Sequence, residues 1–265
     1  MAQERNVTAG LLDRPLSPRS LIGSLLLGMR PPRMPGGRLV AWCGLFGVAD
    51  GTARVALSRM VERGELVARD GVYELAGALR ARQTAQDWSL APRLEAWSGE
   101  WLLGIVEPGA RTPVERADLR EAARRLRMVE LRDAVWCRPA NLPRAAAPAD
   151  AWDVADAQCQ WWTGRPDRPA AAAATARFAP EVWADRARML RPRLDAATEA
   201  VDPSDGAAIA DAFVVGAAAL AHVRADPLLP AELCGRRWPG APLRDAYREY
   251  REAFGDAIRG WFREQ

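Results

Sequence analysis

The chain has 265 residues, 49% apolar and 27% charged, enough to bury ordinary cores and too apolar for a disordered polymer. That length predicts two or three domains. All 37 basic residues are arginine, set against 34 acids, and their excess is uneven. Residues 1–90 carry 12 Arg and 8 acids, 91–145 carry 10 and 8, and 146–265 carry 15 and 18. A positive front end fits a phosphate-binding module there, although the excess is modest for one copy of the chain.

Residues 1–16 are polar and irregular and are expected to form a flexible tail. Ser17-Pro18 opens a helix, with Ser as N-cap and Pro at the first helical position. The helix is apolar around most of its circumference and should be buried. Pro31, Pro32 and Pro35 stop it. A short apolar helix follows over residues 39–46 and ends at Gly47. Asp50 is the expected N-cap of a second helix over 51–63, and Gly64 takes its left-handed C′ position. Two strands come next, at 65–69 and 72–75, joined by Asp70-Gly71, a strong two-residue hairpin signal. Helix, turn, helix, hairpin predicts a winged helix-turn-helix DNA-binding domain over residues 17–90.

The second helix divides into two faces. Ala53, Ala56, Leu57, Met60 and Val61 should pack on the preceding helix. Thr52, Val55, Ser58, Arg59 and Glu62 point outward, with Arg54 on the flank. Arginines and hydroxyls at the front of a helix suit the DNA major groove. The predicted DNA-binding residues are Thr52, Arg54, Ser58 and Arg59, with Arg69 from the wing. The same pattern also describes a solvated face used for protein contacts.

Residues 76–90 read as a polar connecting helix. WLLGIVE at 101–107 is a buried strand. Thr112-Pro113-Val114-Glu115 is a capping box that starts a helix to about residue 127. Arg116, Arg120, Arg124 and Arg127 form a basic row on it, with Glu121 in pairing range. Residues 129–137 read as a second strand ended by Pro139, 150–158 as a second helix and 160–163 as an edge strand. This order predicts a ferredoxin-like middle domain over 91–165. The Pro- and Ala-rich stretch 165–174 reads as a linker. Beyond it lies a helical C-terminal domain, 175–265, with helices at 179–198, 204–225 and 242–264. Pro192 is a possible break in the first, and Ser204 caps the second. Asp226 is expected to cap a turn in the Pro-rich stretch 224–240.

Cys43, Cys137, Cys159 and Cys234 match no zinc spacing and read as reduced core residues. There is no Gly-rich phosphate loop, no metal-ligand cluster and no nucleophile with a histidine partner, so no catalytic residue, metal or cofactor is expected. His222, Arg224 and Asp226 form a polar group in a capped loop. No apolar run reaches membrane length and no signal-peptide core is present, which predicts a cytoplasmic protein without a membrane partner.

The chain resembles the PaaX family of bacterial transcriptional repressors. The matching stretches are ARVALSRMVERGEL, WSGEWLLGIVE, AVWCRPANLP, VWADRARML and HVRADPLLPAELCGRRWPG, in family order. The resemblance implies an α+β multidomain chain: a winged helix-turn-helix, a middle domain similar to that of a CRISPR adaptation nuclease, and a helical C-terminal domain. It also implies a homodimer, a double-stranded DNA operator, and release by a small-molecule effector, an aryl-acetyl coenzyme A thioester in one branch. The chain departs from the family at Met128-Val129-Glu130, where Gly-Phe-Gly is common, and its wing is less basic. Two other readings are a winged-helix protein that has lost operator binding and acts in ligand binding or interaction, and an enzyme built on the helical domain.

Overall fold

The computed structural model describes residues 10, 11, 16–109 and 111–264, so the predicted tail lies almost wholly outside the described residues. The chain is mixed α/β. It has two small sheets and a helical C-terminal region. Its described residues fall into two compact units. One joins the residues up to Leu90 with Ala187–Arg224 and the residues from Ala241 onward. The other joins Ala91–Arg186 with Ala225–Gly240.

The first unit starts with α1 (Pro18–Gly28), where Ser17 and Ser20 form a reciprocal capping box. It continues through β1 (Arg33–Pro35), α2 (Gly36–Gly44), α3 (Asp50–Glu62), β2 (Leu66–Arg69), β3 (Val72–Leu75) and α4 (Gly77–Leu90). Strand β1 was not expected among three prolines. It is a three-residue edge strand, paired antiparallel with β3 in the order β1-β3-β2, and Pro35 ends it. Helices α9 (Gly206–Arg224) and α11 (Gly240–Glu264) also belong to this unit.

Those two helices, expected in the C-terminal region, share a core with the N-terminal elements. Leu21, Ile22 and Leu26 of α1, Leu39 and Trp42 of α2, and Leu57 and Met60 of α3 share one core with Ile209, Phe213, Ile258 and Trp261. The Trp42 indole Nε1–H donates to Leu21 O at 3.1 Å. Its ring meets Phe46 and Phe213 edge-on, both at 5.0 Å. Gly216 of α9 lies so close to the Tyr250 ring of α11 that an added Cβ would sit 2.3 Å from it. Tyr250 donates to Ala212 O at 2.9 Å. Helix α9 is long and apolar enough to cross a membrane by length and composition, contrary to the expectation that no run is. Ile209, Ala212, Phe213, Val215 and Ala219 are buried inside the unit instead.

The second unit is built on a four-stranded antiparallel sheet, order β5-β6-β4-β7. Its elements run β4 (Trp101–Val106), α5 (Pro113–Arg125), β5 (Val129–Arg132), β6 (Val135–Pro139), α6 (Ala149–Asp156) and β7 (Cys159–Gly164). The stretch predicted as one strand over 129–137 is a hairpin, turned at Asp133-Ala134 with Ala134 at φ +62°. Leu119 and Ala123 of α5, with Leu126 at its C-cap, pack with Ala151, Trp152 and Ala155 of α6 on one face. Gly104 of β4 lies beneath Trp161, and a Cβ there would be 2.7 Å from the ring. The other face holds Trp101 and Cys137 against Ala174.

Ala174 belongs to α7 (Arg168–Ala176), which replaces the predicted linker. Asp167 caps it by accepting from Ala170 N–H at 2.8 Å, and its alanine run has high helix propensity. Helix α8 (Pro180–Ala200) runs unbroken through Pro192. Asp205, not Ser204, caps α9, accepting from the N–H groups of Ala207 and Ala208. Short helix α10 (Ala231–Cys234) lies in the Pro-rich stretch. There Asp226 accepts from Leu228 N–H at 2.8 Å, as expected of a turn cap, and Trp238 stacks on Trp183 at 4.7 Å.

One buried cation stands out in the second unit. Arg138 of β6 is 1% exposed. It donates to Pro139 O at 2.9 Å, Leu126 O at 2.7 Å and Asn141 Oδ1 at 2.8 Å. Asn141 in turn donates to Leu228 O at 3.0 Å. Burial pushes the guanidinium pKa down to about 9.

Candidate nucleic-acid interface

The candidate surface is α3 with the hairpin that follows it. A tight turn separates α2 from α3. Phe46 N–H bonds to Cys43 O and Gly47 N–H to Gly44 O, with Gly47 at φ +73°. Asp50 does not cap α3 as expected. The N-cap is Ala49, which has no side-chain bond, and Asp50 is the first helical residue. There its carboxylate still suits the positive end of the helix dipole. At the other end Gly64 takes φ +67°, the predicted left-handed stop.

Hairpin β2–β3 turns on Asp70 at φ +49° and Gly71 at φ +75°, with Arg69 opposite Val72. Two consecutive positive φ values make the turn type I′, as the Asp-Gly pair predicts. Arg69 sits at its tip, exposed. Glu65, just before β2, is held by Arg19 of α1 through bonds of 2.8 and 2.7 Å. That pairing holds its carboxyl below the usual range and sets a positive charge against its negative one at the foot of the hairpin.

Thr52, Arg54, Ser58 and Arg59 are all exposed on α3, on the side away from buried Ala53, Leu57 and Met60. The Ser58 hydroxyl is turned back onto Arg54 O at 3.3 Å. Val61, expected in the packed face, is 37% exposed. It lies at the edge of the apolar arc. Arg63, at the C-cap of α3, and Arg33 on β1 are exposed arginines near these elements that the pattern had not singled out. Arg33 was missed because β1 itself was. The surface is only weakly basic. Arg54, Arg59, Arg63 and Arg69 are interleaved with Asp50, Glu62 and Asp70.

The other basic candidate, the row on α5, is broken up. Arg124 pairs with Glu121 at 2.8 Å. Arg116 donates to the carbonyl of Arg111, just before the helix. Helix α5 ends at Arg125, and Arg127, at φ +58°, is buried. Among the described residues, no group of three or more His, Cys, Asp or Glu side chains could hold a metal ion.

The profile of PaaX-like proteins matches residues 17–79, and that of the PaaX-like C-terminal domain matches 181–264. Together they span more than half of the chain, which belongs to the PaaX-like family, a family of transcription regulators. Among solved structures it is similar to the uncharacterized protein Rv0674 from Mycobacterium tuberculosis. Identity is 36% over 92% of this chain and 98% of that one, with a TM-score of 0.69. No curated protein matches the chain.

Proposed function

We propose that the chain is a DNA-binding transcriptional repressor that reads its operator with α3. In this reading α1 to β3 form a winged helix-turn-helix, and the β5-β6-β4-β7 sheet with α5 and α6 is a ferredoxin-like domain. The observation that carries the proposal is the exposed face of α3, with Thr52, Arg54, Ser58 and Arg59, set between a tight turn and an Asp-Gly hairpin bearing Arg69. Guanidinium groups and hydroxyls are the chemistry that bases and phosphates accept.

The regulator works in the cytoplasm as a homodimer on a pseudo-palindromic site, since two-fold protein symmetry is mirrored in the half-sites. A small acidic or acyl-CoA-type metabolite releases it. A tenfold loss of operator affinity needs about 1.4 kcal/mol of coupling. The test is a gel-shift with DNA upstream of the protein's own gene, with light scattering of the complex and titration of aryl-acyl thioesters. Salt-sensitive, sequence-specific binding supports the proposal. Absence of any DNA binding refutes it, a monomer on DNA refutes the assembly, and a complex indifferent to every thioester refutes the effector class. The interleaved charges around α3 favour one other reading, a winged helix that contacts protein instead. It predicts no enrichment of any DNA sequence by the full-length chain.

A further inference from the structure

The exposed side of α3 is not uniform. At 100° per residue, the direction opposite Ala53, Leu57 and Met60 is occupied by Gly51, Val55, Ser58 and Glu62. Arg54 lies on one flank of this row, and Thr52 and Arg59 on the other. The row, not the flanks, is the crest of the helix, and the crest is the part that reaches deepest into a groove.

Val55 stands on that crest, 51% exposed. Exposure alone means little, because single apolar residues are common on surfaces. Its surroundings give it meaning. One turn before it is Gly51, which has no side chain and open space where a Cβ would be. Almost one turn after it is Ser58, whose hydroxyl is engaged by its own helix through Arg54 O. Glu62 lies two turns on, where a carboxylate can approach only a donor. Over the first half of α3, the crest therefore offers one projecting group, and that group is a branched hydrocarbon.

The edges of base pairs in the major groove are donors and acceptors with one apolar exception, the thymine 5-methyl group. We infer that Val55 reads a thymine methyl in the operator, making it a specificity-determining residue. This inference rests on the proposed DNA-binding role of α3. It goes beyond that role by naming the base and the atom recognised. Burying one methyl group is a factor of about fourfold in affinity, enough to set the preference at one base pair.

The experiment uses the full-length protein and the duplex it selects from a random-sequence pool. Each thymine of that duplex is replaced in turn by deoxyuridine, which removes only the 5-methyl. Wild-type protein should lose about fourfold in affinity at one thymine position and little elsewhere. Val55→Ala should bind more weakly and be indifferent to that replacement, a coupling that a double-mutant cycle reads directly. Val55→Thr, of the same shape, controls for folding and should keep part of the methyl sensitivity. The inference is overturned if no single deoxyuridine weakens wild-type binding, or if Val55→Ala keeps the full sensitivity. Failure to enrich any duplex would instead overturn the DNA-binding role itself, an outcome distinct from binding that ignores methyl groups.

Discussion

Phe213 lies about 150 residues beyond α3 in sequence, yet its ring is built into the same core. It meets Trp42 at 5.0 Å, Phe46 at 5.5 Å and Phe254 at 6.3 Å. Phe213→Ala removes a whole ring from among neighbours too rigid to collapse into the space. Such truncations cost about 3–5 kcal/mol. A cost near 4 kcal/mol multiplies the population of the open state by roughly a thousand. Hydrogen exchange followed by mass spectrometry reads this peptide by peptide. If the first unit is one cooperative body, the slowest amides of Pro18–Gly28, Asp50–Glu62 and Gly206–Arg224 should lose protection by the same factor. Loss confined to α9, with α1 and α3 at wild-type protection, would refute a shared core.

Arg138→Ala should cost about 3–5 kcal/mol in urea unfolding, because it leaves buried carbonyl acceptors at Leu126 and Pro139 without their donor. Arg138→Met, which fills the volume, should be milder, and wild-type stability in both variants would contradict the account. Burial raises the Cys43, Cys137 and Cys159 thiols from 9.0 to about 11. The folded chain therefore holds their protons longer, and stability present below pH 9 is lost as pH rises from 9 to 11, by about 2 kcal/mol per thiol. Arg138, depressed to about 9, acts in the opposite direction over that range, but it is one group against four, since burial raises the Cys234 thiol to about 11 as well. A melting temperature that stays flat to pH 11 would show the sign to be wrong. Arg59→Ala should weaken operator binding by about 1–3 kcal/mol and leave the melting temperature unchanged, since the side chain is exposed. Equal affinity in gel-shifts would remove Arg59 from the interface.

The parts of the fold legible in the sequence are those written in local chemistry. Ser17-Pro18 reads as an N-cap and Thr112-Glu115 as a capping box, and both form, with Thr112 N–H bonded to Glu115 Oε2 at 2.7 Å. Asp70-Gly71 needs only its own backbone preference to make the turn. Strand β1 is different. Nothing in Arg33-Met34-Pro35 marks a strand until β3 is alongside to accept it. Helix α7 was hidden because alanine and proline read equally as a linker when the surface covered by Ala174 is unknown. The stripe of Tyr247, Tyr250, Phe254, Ile258 and Trp261 on α11 is visible in the sequence as an apolar face, and all but the half-buried Phe254 are buried. A periodicity states that a helix buries one side. It does not say against what, so the partnership of α11 with α1 to α3 was out of reach. On α3, the apolar arc was drawn one residue too wide, and Val61 falls outside it.

The chain path has a consequence for the protein's birth. A ribosome releases residues in order, and the elements around α3 emerge within the first 90. The helices that close their core, α9 and α11, are made last, after the whole sheet of the second unit. During that interval the apolar sides of α1 and α2 face water or a chaperone. The core beneath α3 is completed only when residues 240–264 leave the exit tunnel. A chain cut short before α11 would then lack Ile258 and Trp261, and with them part of the core on which Leu57 and Met60 of α3 are seated.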